Sequence, residues 1–179
     1  MIEDQDMSQQ TEIKHALERA AKTVSIKPAF GQRTYTNVAT VSDRLTCIIS
    51  EHECAIVADV PKGMGGEHKG PSPSALFRSA ISSCTAIGFK MWAARRDVAV
   101  RHVQVTVETD VDARGQLCDC RAARPGFEAI RLSVEVDADA DLAVLDSVLE
   151  VALDHSPMID AIGGRQAVEV SLLVLTPQS

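Results

Sequence analysis

Cys84 is the residue whose type and setting best suit covalent chemistry in this sequence. It lies in the segment Gly65–Arg96, which reads GGEHKGPSPSALFRSAISSCTAIGFKMWAARR, and between residues 73 and 94 only Arg78 and Lys90 carry charge. The thiolate form of cysteine is a nucleophile, whereas a thiol buried among apolar side chains is inert. Because buried cysteine behaves as a small apolar residue, composition alone favours a packing role for Cys84.

A reactive thiol needs a nearby cation, and the same helix offers none in a suitable place. Arg78 and Lys90 are each six residues from Cys84, which separates them by about 9 Å along a helix axis and about 120° around it. Arg95 shares the face of Cys84 but lies about 16 Å further along the axis. We therefore expect any activating cation to come from another element.

The other four cysteines give weaker signals. Cys118 and Cys120 form a C-x-C pair, but the sequence has no second pair at zinc-finger spacing. We therefore expect no metal site and no cofactor. This pair could reduce an oxidised Cys84 or have no catalytic role. Cys47 and Cys54 lie on adjacent predicted strands and are interpreted as packing residues.

The segment around Cys84 is predicted to be a long helix over residues 73–95. Ser72 can cap it, and Pro73 is tolerated at its first position. Apolar residues occupy its whole circumference, which is typical of a helix buried on every side. One small sheet covers only one side of such a helix, so another helix of the chain or a second copy must cover the rest. The second option predicts an obligate dimer with an apolar interface.

The remaining pattern predicts an α+β fold in which an antiparallel sheet wraps a central helix. Residues 1–8 are expected to be disordered, and an amphipathic helix is expected over Gln9–Val24, packed either in cis or on a second subunit. Alternating apolar residues predict strands, and Asp139–Asp141 and Ser156-Pro157 are predicted to begin two further helices. The predicted strands are Thr34–Val41, Leu45–Ser50, Cys54–Val60, Val100–Val111, Phe127–Val136 and Val168–Leu175.

Composition excludes several classes of function. The 179 residues carry a net charge of −7, which argues against a nucleic-acid partner because phosphate binding needs a basic face. No apolar run reaches the ~18 residues of a membrane span, and the acidic start differs from a signal peptide. Five cysteines, an odd number, fit a reducing compartment. We therefore expect a cytoplasmic protein that has no membrane partner.

Three motifs together resemble those of the OsmC and organic hydroperoxide resistance (Ohr) family. They are PKGMGG at residues 61–66, GPSPSALF at residues 70–77 and Ser83-Cys84. The resemblance covers roughly residues 34–175. It implies an OsmC-like domain over residues 31–179, preceded by an extension at 1–30, and an intertwined homodimer whose two central helices pack between sheets from both chains.

The resemblance also implies a chemistry for Cys84. In that family the cysteine of the central helix attacks an organic or lipid hydroperoxide and becomes a sulfenic acid. A second cysteine, just before the proline of the short helix, then forms a disulfide with it. Ser156 stands at that position here, so this divergent member lacks the usual resolving step. An external thiol, or Cys118 or Cys120, would have to reduce the sulfenic acid.

Other site residues follow from the same resemblance. Ohr proteins supply an arginine from a strand before the loop, and the matching position here is Arg44, with an uncertainty of one residue. In Ohr proteins a glutamate after the motif's proline orients that arginine. Ser74 occupies the position of this glutamate here, so only Glu67 could take over its role. Ser156 is interpreted as the N-cap of the helix that starts at Pro157.

Two functions are compatible with these features. We predict a thiol-dependent peroxidase in oxidative stress defence, with Cys84 and Arg44 as catalytic residues. An apolar pocket between subunits, lined by Phe77, Ile81 and Met91, would favour organic hydroperoxides, and an external thiol would be the reductant. The alternative is a non-catalytic dimer that binds a small apolar ligand between subunits, with Cys84 inert.

Overall fold

The computed structural model describes residues 2–42, 44–118 and 123–164, together with residue 168. Short 3-10 turns follow the first helix at Pro28–Gly31 and precede the long helix at Lys62–Met64. In chain order the helices and strands are α1 (Ile2–Ile26), β1 (Val38–Val41), β2 (Cys47–Glu51), β3 (Cys54–Ala58), α2 (Pro73–Arg95), β4 (Val100–Val111), α3 (Arg114–Leu117), β5 (Phe127–Ala138), α4 (Leu142–Asp154) and α5 (Pro157–Ile162).

Two antiparallel sheets are formed, one on each side of α2 in the sequence. β1, β2 and β3 make a three-stranded meander, and β4 and β5 make a long hairpin. In the hairpin, Val103 pairs with Val136 and Val105 pairs with Val134, and these valines are half-buried while their neighbours along the strand are exposed. The alternation predicted for these two strands is confirmed. The α+β class is confirmed as well.

The core lies where α2 crosses the β4–β5 hairpin and α4. Phe89, Ala93, Val100 and Val148 are buried together at this crossing. The start of α2 follows the prediction, since Pro73 is its first residue and the backbone N–H of Ala75 donates to Ser72 Oγ at 3.2 Å. Local capping chemistry therefore sets where this helix begins.

Within one chain, α2 is not buried on every side. A stripe along it remains exposed, and the side chain of Ile87 is 61 % exposed. We name this surface the α2 stripe; its members are Phe77, Ala80, Ile87 and Met91. The three-stranded sheet also leaves apolar side chains exposed: Val38, Val41, Ile48, Ile56 and Val57.

The first helix is longer than predicted and packs in cis. It begins at Ile2, so the expectation of disorder is wrong for residues 2–8. Gln10 Nε2 donates to the carbonyl of Val98 at 2.9 Å, and Lys14 Nζ lies 2.6 Å from a carboxylate oxygen of Asp97. These contacts hold α1 against the carboxyl end of α2.

Four of the predicted strands differ at their ends. β2 spans Cys47–Glu51 rather than Leu45–Ser50, and β3 ends at Ala58 rather than Val60. β1 begins at Val38 rather than Thr34 because Val38 pairs with Ser50 and the turn after Glu51 ends the partner strand. β5 extends to Ala138, which pairs with Val100. The strand predicted at Val168–Leu175 lies outside the described residues except for Val168. Among the helices that the structure describes, none is both long and apolar enough to cross a bilayer.

Candidate functional site

Cys84 contacts the start of α5. The Cys84 sulfur lies 3.3 Å from Ser156 Oγ. Cys84 is half-buried, on the border between the buried face of α2 and the α2 stripe, whereas Ser156 is only 4 % exposed. The sulfur thus lies close to a polar group that water barely reaches.

Ser156 also caps α5, as the sequence predicts. The backbone N–H of Ile159 donates to Ser156 Oγ at 3.3 Å, and Pro157 is the first helical residue. Serine at this position accepts one of the amide protons that the first turn cannot satisfy. The capping role was predicted from the Ser-Pro pair, but the contact with Cys84 was not, because the two residues are 72 positions apart.

His155, which precedes that serine, makes its ring contacts on α2 and α4. Its ring lies against Trp92, with 4.6 Å between the ring centroids. Its Nδ1 lies 2.9 Å from the carbonyl oxygen of Val151. Arg95 covers the same tryptophan ring, with its guanidinium carbon 4.5 Å from the centroid.

An apolar groove of about 300 Å³ lies beside the Cys84–Ser156 contact. Phe77 and Ile81 line it from α2, and Phe77 stacks on Phe127 of β5 with a centroid distance of 5.0 Å. Ile81 precedes Cys84 by less than one helical turn, and Met158 of α5 lies two residues after Ser156. The other lining residues are Phe127, Ile130, Ala161 and Ile162.

Of the three residues predicted to bind substrate, the structure brings two to this groove. Met91 lies elsewhere, on a second apolar surface shared with Ile13, Ile87 and Val103. Phe77 and Ile81 can therefore contact one small molecule together, and within one chain Met91 cannot join them. The substrate-binding role of all three stays a prediction.

The cations of α2 are engaged away from Cys84, in agreement with their spacing on the helix. Arg78 Nη1 donates to Thr109 Oγ1 at 3.0 Å. Lys90 Nζ donates to the carbonyl of Arg101 at 3.5 Å. Neither side chain is available to the sulfur.

The loop before α2 is organised by a buried carboxylate that sequence reasoning missed. Asp59 is 2 % exposed. Its oxygens accept hydrogen bonds from the backbone N–H groups of Val60 (2.7 Å), Glu67 (3.1 Å) and Lys69 (3.1 Å) and from Thr46 Oγ1 (3.2 Å). Burial alone raises the pKa of Asp59, but these hydrogen bonds outweigh burial and hold the pKa below its ordinary value.

Arg44 lies at the edge of the same loop. The pKa of Glu67 is lowered, first by the 2.5 Å hydrogen bond from Lys69 and further by the charge of Arg44. Glu67 is therefore close enough for its charge to interact with that of Arg44, whereas Ser74 is half-buried on α2 and carries no charge. In the described part of one chain no hydrogen bond or ion pair links Arg44 to Cys84, and its catalytic role stays a prediction.

The remaining cysteines are dispersed. Cys54 and Cys118 are exposed, Cys47 is half-buried, and all are free thiols, as is Cys84. The exposure of Cys54 does not fit the packing role expected for it. Cys120 lies outside the described residues, so the C-x-C pair cannot be placed relative to Cys84.

The family of the chain follows from comparison with known sequences. A sequence model described as OsmC-like protein matches residues 66–172. This range includes α2, the β4–β5 hairpin, α4 and α5. The chain belongs to the OsmC-like family. No curated protein has a significantly similar sequence.

Solved structures show the same fold. An OsmC-like protein from Mycoplasma pneumoniae superposes with a TM-score of 0.64 at 15% identity, covering 75% of this chain and 90% of that one. An organic hydroperoxide resistance protein from Elizabethkingia anophelis superposes with a TM-score of 0.55 at 16% identity, covering 75% of this chain and 91% of that one. An organic hydroperoxide resistance protein OsmC from Legionella pneumophila superposes with a TM-score of 0.51 at 17% identity, covering 74% of this chain and 90% of that one. At these identities the likeness establishes the OsmC-like fold and leaves the activity to the site itself.

Proposed function

We propose that this chain is a thiol-dependent peroxidase that reduces organic or lipid hydroperoxides in oxidative stress defence, with Cys84 as the nucleophile. The observation that carries the proposal is the position of Cys84, half-buried beside an apolar groove and 3.3 Å from the Ser156 hydroxyl. Two of the similar solved structures are organic hydroperoxide resistance proteins.

The proposed first step is a two-electron oxidation of the sulfur. The Cys84 thiolate attacks the distal oxygen of the hydroperoxide, an S–O bond forms and the O–O bond breaks. The leaving alkoxide takes up a proton and departs as an alcohol, which leaves Cys84 as a sulfenic acid. The groove formed by Phe77, Ile81 and Met158 would hold the alkyl group, which favours an organic hydroperoxide over hydrogen peroxide.

The proposed reductant is an external thiol. Serine cannot form a disulfide, so Ser156 cannot resolve the sulfenic acid. A first thiol would displace water from the sulfenic acid and form a mixed disulfide with Cys84. A second would then release the reduced Cys84 and leave as an external disulfide.

The site is proposed to be completed in a homodimer. The α2 stripe and the three-stranded sheet leave apolar side chains exposed in one chain, and apolar patches of this kind typically mark an interface. Arg44 precedes β2 in that sheet and is the proposed cation for the thiolate, with Glu67 orienting it.

The proposal is tested by following the loss of cumene hydroperoxide with purified protein and dithiothreitol. We expect the wild-type chain to consume it and Cys84→Ser to lower the rate to that of dithiothreitol alone. Cys54→Ser removes an exposed free cysteine on β3 and is expected to keep the wild-type rate. Loss of peroxide that does not depend on Cys84 would contradict the proposal.

A second candidate function is a non-catalytic dimer that binds a small apolar ligand. It is favoured by the serine at position 156 and by the lack of a cation in contact with Cys84 among the described residues of one chain. The same groove would then hold the ligand. In that case Cys84 would resist thiol reagents until the protein unfolds, whereas a peroxidase must expose a reactive sulfur.

A further inference from the structure

We propose that the Ser156 hydroxyl is a positioning residue for Cys84, donating its proton to the thiolate and fixing the sulfur beside the apolar groove. This inference rests on the proposed function of Cys84. Ser156 itself does not touch the hydroperoxide; it acts through the sulfur. The role differs from the helix cap that the sequence predicts, because it uses the proton of the hydroxyl rather than a lone pair.

The direction of the hydrogen bond follows from counting donors and acceptors. A serine hydroxyl has one proton to donate and two lone pairs to accept. One lone pair of Ser156 already accepts the backbone N–H of Ile159 at 3.3 Å. A thiolate has no proton, so when Cys84 ionises only Ser156 can donate across the 3.3 Å contact.

The setting makes this donor persistent. Ser156 is only 4 % exposed, so water competes little for its proton. The cap also holds the hydroxyl in place, because Ser156 is joined to the first turn of α5 through the peptide bond to Pro157 and through the hydrogen bond from Ile159. A hydrogen bond to a charged group is stronger than one between neutral groups, and more so where water is excluded.

Charged and titratable groups on the neighbouring elements have other surroundings. On α2, Arg78 binds Thr109 and Lys90 binds the carbonyl of Arg101. At the end of α4, Asp154 is exposed, and the His155 ring packs on Trp92. On α5, Asp160 is exposed. Ser156 is thus the donor whose contact with the sulfur the structure shows.

The test measures the rate at which iodoacetamide alkylates Cys84 as a function of pH, with peptide mass spectrometry to separate this thiol from the others. For Ser156→Ala we expect the profile to move to higher pH and alkylation at pH 7 to become about tenfold slower. Ser156→Thr keeps both the hydroxyl and the cap, and should restore a profile close to the wild-type one.

A matched control separates the donor from the cap. Ser72 caps α2 through the same Ser-Pro arrangement, with Ala75 N donating to Ser72 Oγ at 3.2 Å. Ser72→Ala therefore loses an equivalent cap without removing a group that contacts Cys84, and its profile should match the wild type. If Ser156→Ala does not fold, Ser156→Asp keeps a capping acceptor but no donor at neutral pH, and should also slow alkylation.

Two results would overturn the inference: a Ser156→Ala profile that coincides with the wild-type profile, or an equal shift in Ser72→Ala. If Ser156→Ala does not fold, the inference is overturned when Cys84 in Ser156→Asp is alkylated as fast as in the wild type. Alkylation uses no peroxide, so its outcome is independent of the peroxidase assay. A wild-type protein that leaves cumene hydroperoxide intact disproves the proposed function, while the alkylation profiles still decide whether Ser156 donates to the sulfur.

Discussion

The hydroxyl oxygen of Ser156 lies at hydrogen-bond distance from the sulfur of Cys84 and from the backbone N–H of Ile159. The contact with the sulfur is short enough that a second thiol in place of the hydroxyl would lie beside the first. A disulfide needs a sulfur–sulfur distance of about 2 Å. Small rotations of the two side chains can close the difference from 3.3 Å, because α5 begins at this residue and Cys84 is only half-buried.

We therefore predict that Ser156→Cys forms an internal disulfide with Cys84 when one equivalent of organic hydroperoxide is added. Cys84 is first oxidised to the sulfenic acid, and the new thiol then displaces water from it. Intact-mass spectrometry should show a loss of two hydrogens, and peptide mapping should join the segments that carry residues 84 and 156. The wild-type chain should instead retain the added oxygen or bind an external thiol.

Ser72→Cys is the control for this prediction, since it places a new thiol at an equivalent cap that no hydrogen bond links to Cys84 among the described residues. It should show no disulfide with Cys84. A Ser156→Cys protein that keeps its free thiols after oxidation would contradict the short contact seen here.

At this scale the sequence predicts what depends on neighbouring residues. Ser72 and Ser156 were both predicted as caps because each precedes a proline and an apolar helix, and both accept the expected amide proton. The contact between Cys84 and Ser156 depends on how α2 and α5 pack, which no local pattern contains. Asp59 was missed for the same reason, because Thr46, just before β2, and Glu67 and Lys69, on the far side of the loop, are distant from it in the sequence.

At the scale of elements, the loop between β3 and α2 is held against the end of β3 by Asp59. Its close approach requires glycine at two positions, Gly66 and Gly70. A Cβ atom on Gly66 would lie 2.1 Å from the carbonyl oxygen of Val60 and 2.6 Å from Asp59 Oδ1, whereas one on Gly63 would meet no atom within 4 Å. Gly63 and Gly66 lie in the same loop and therefore offer a matched pair of positions for substitution.

We predict that Gly66→Ala lowers the free energy of unfolding by about 1–3 kcal/mol, because the backbone of Val60 must move to admit the methyl group. Gly63→Ala should leave the stability within about 0.5 kcal/mol of the wild type, as expected for a surface substitution. Urea unfolding followed by circular dichroism measures both. Equal effects of the two substitutions would show that the loop does not approach β3 this closely.

The prediction of elements was most accurate where hydrophobic periodicity is strong. β4 and β5 alternate, and the bounds of α2 match the expected range. The predictions failed where strand pairing sets the length of a strand. β1 is shorter than the predicted strand because β2 ends opposite Val38. For α1 the pattern left the partner open, and Gln10 and Lys14 place it on the α2–β4 connection.

At the scale of the whole molecule, one chain exposes large apolar side chains on α2 and on the three-stranded sheet. Ile87 is 61 % exposed at the middle of the α2 stripe, and exposed apolar patches typically mark an interface. The sequence predicted an apolar helix that needs a partner. It could not predict which part of the helix the hairpin and α4 leave exposed.

We predict that the wild-type chain has twice its monomer mass in size-exclusion chromatography with light scattering. Ile87→Asp should shift the population towards monomer or prevent folding, because a carboxylate would be buried without a partner in the interface. Val144→Asp, at an exposed apolar residue of α4 outside the α2 stripe, should remain dimeric. A wild-type chain that is monomeric at all concentrations would disprove the dimer.

The packing of Trp92 gives the molecule its own optical probe. It is the single tryptophan of the chain, and its ring is contacted by the guanidinium of Arg95 and by the ring of His155. Because His155 is bonded to Ser156, movement of the serine changes the environment of this fluorophore. Emission of the unlabelled protein can therefore follow events at the sulfur in real time, with no dye attached.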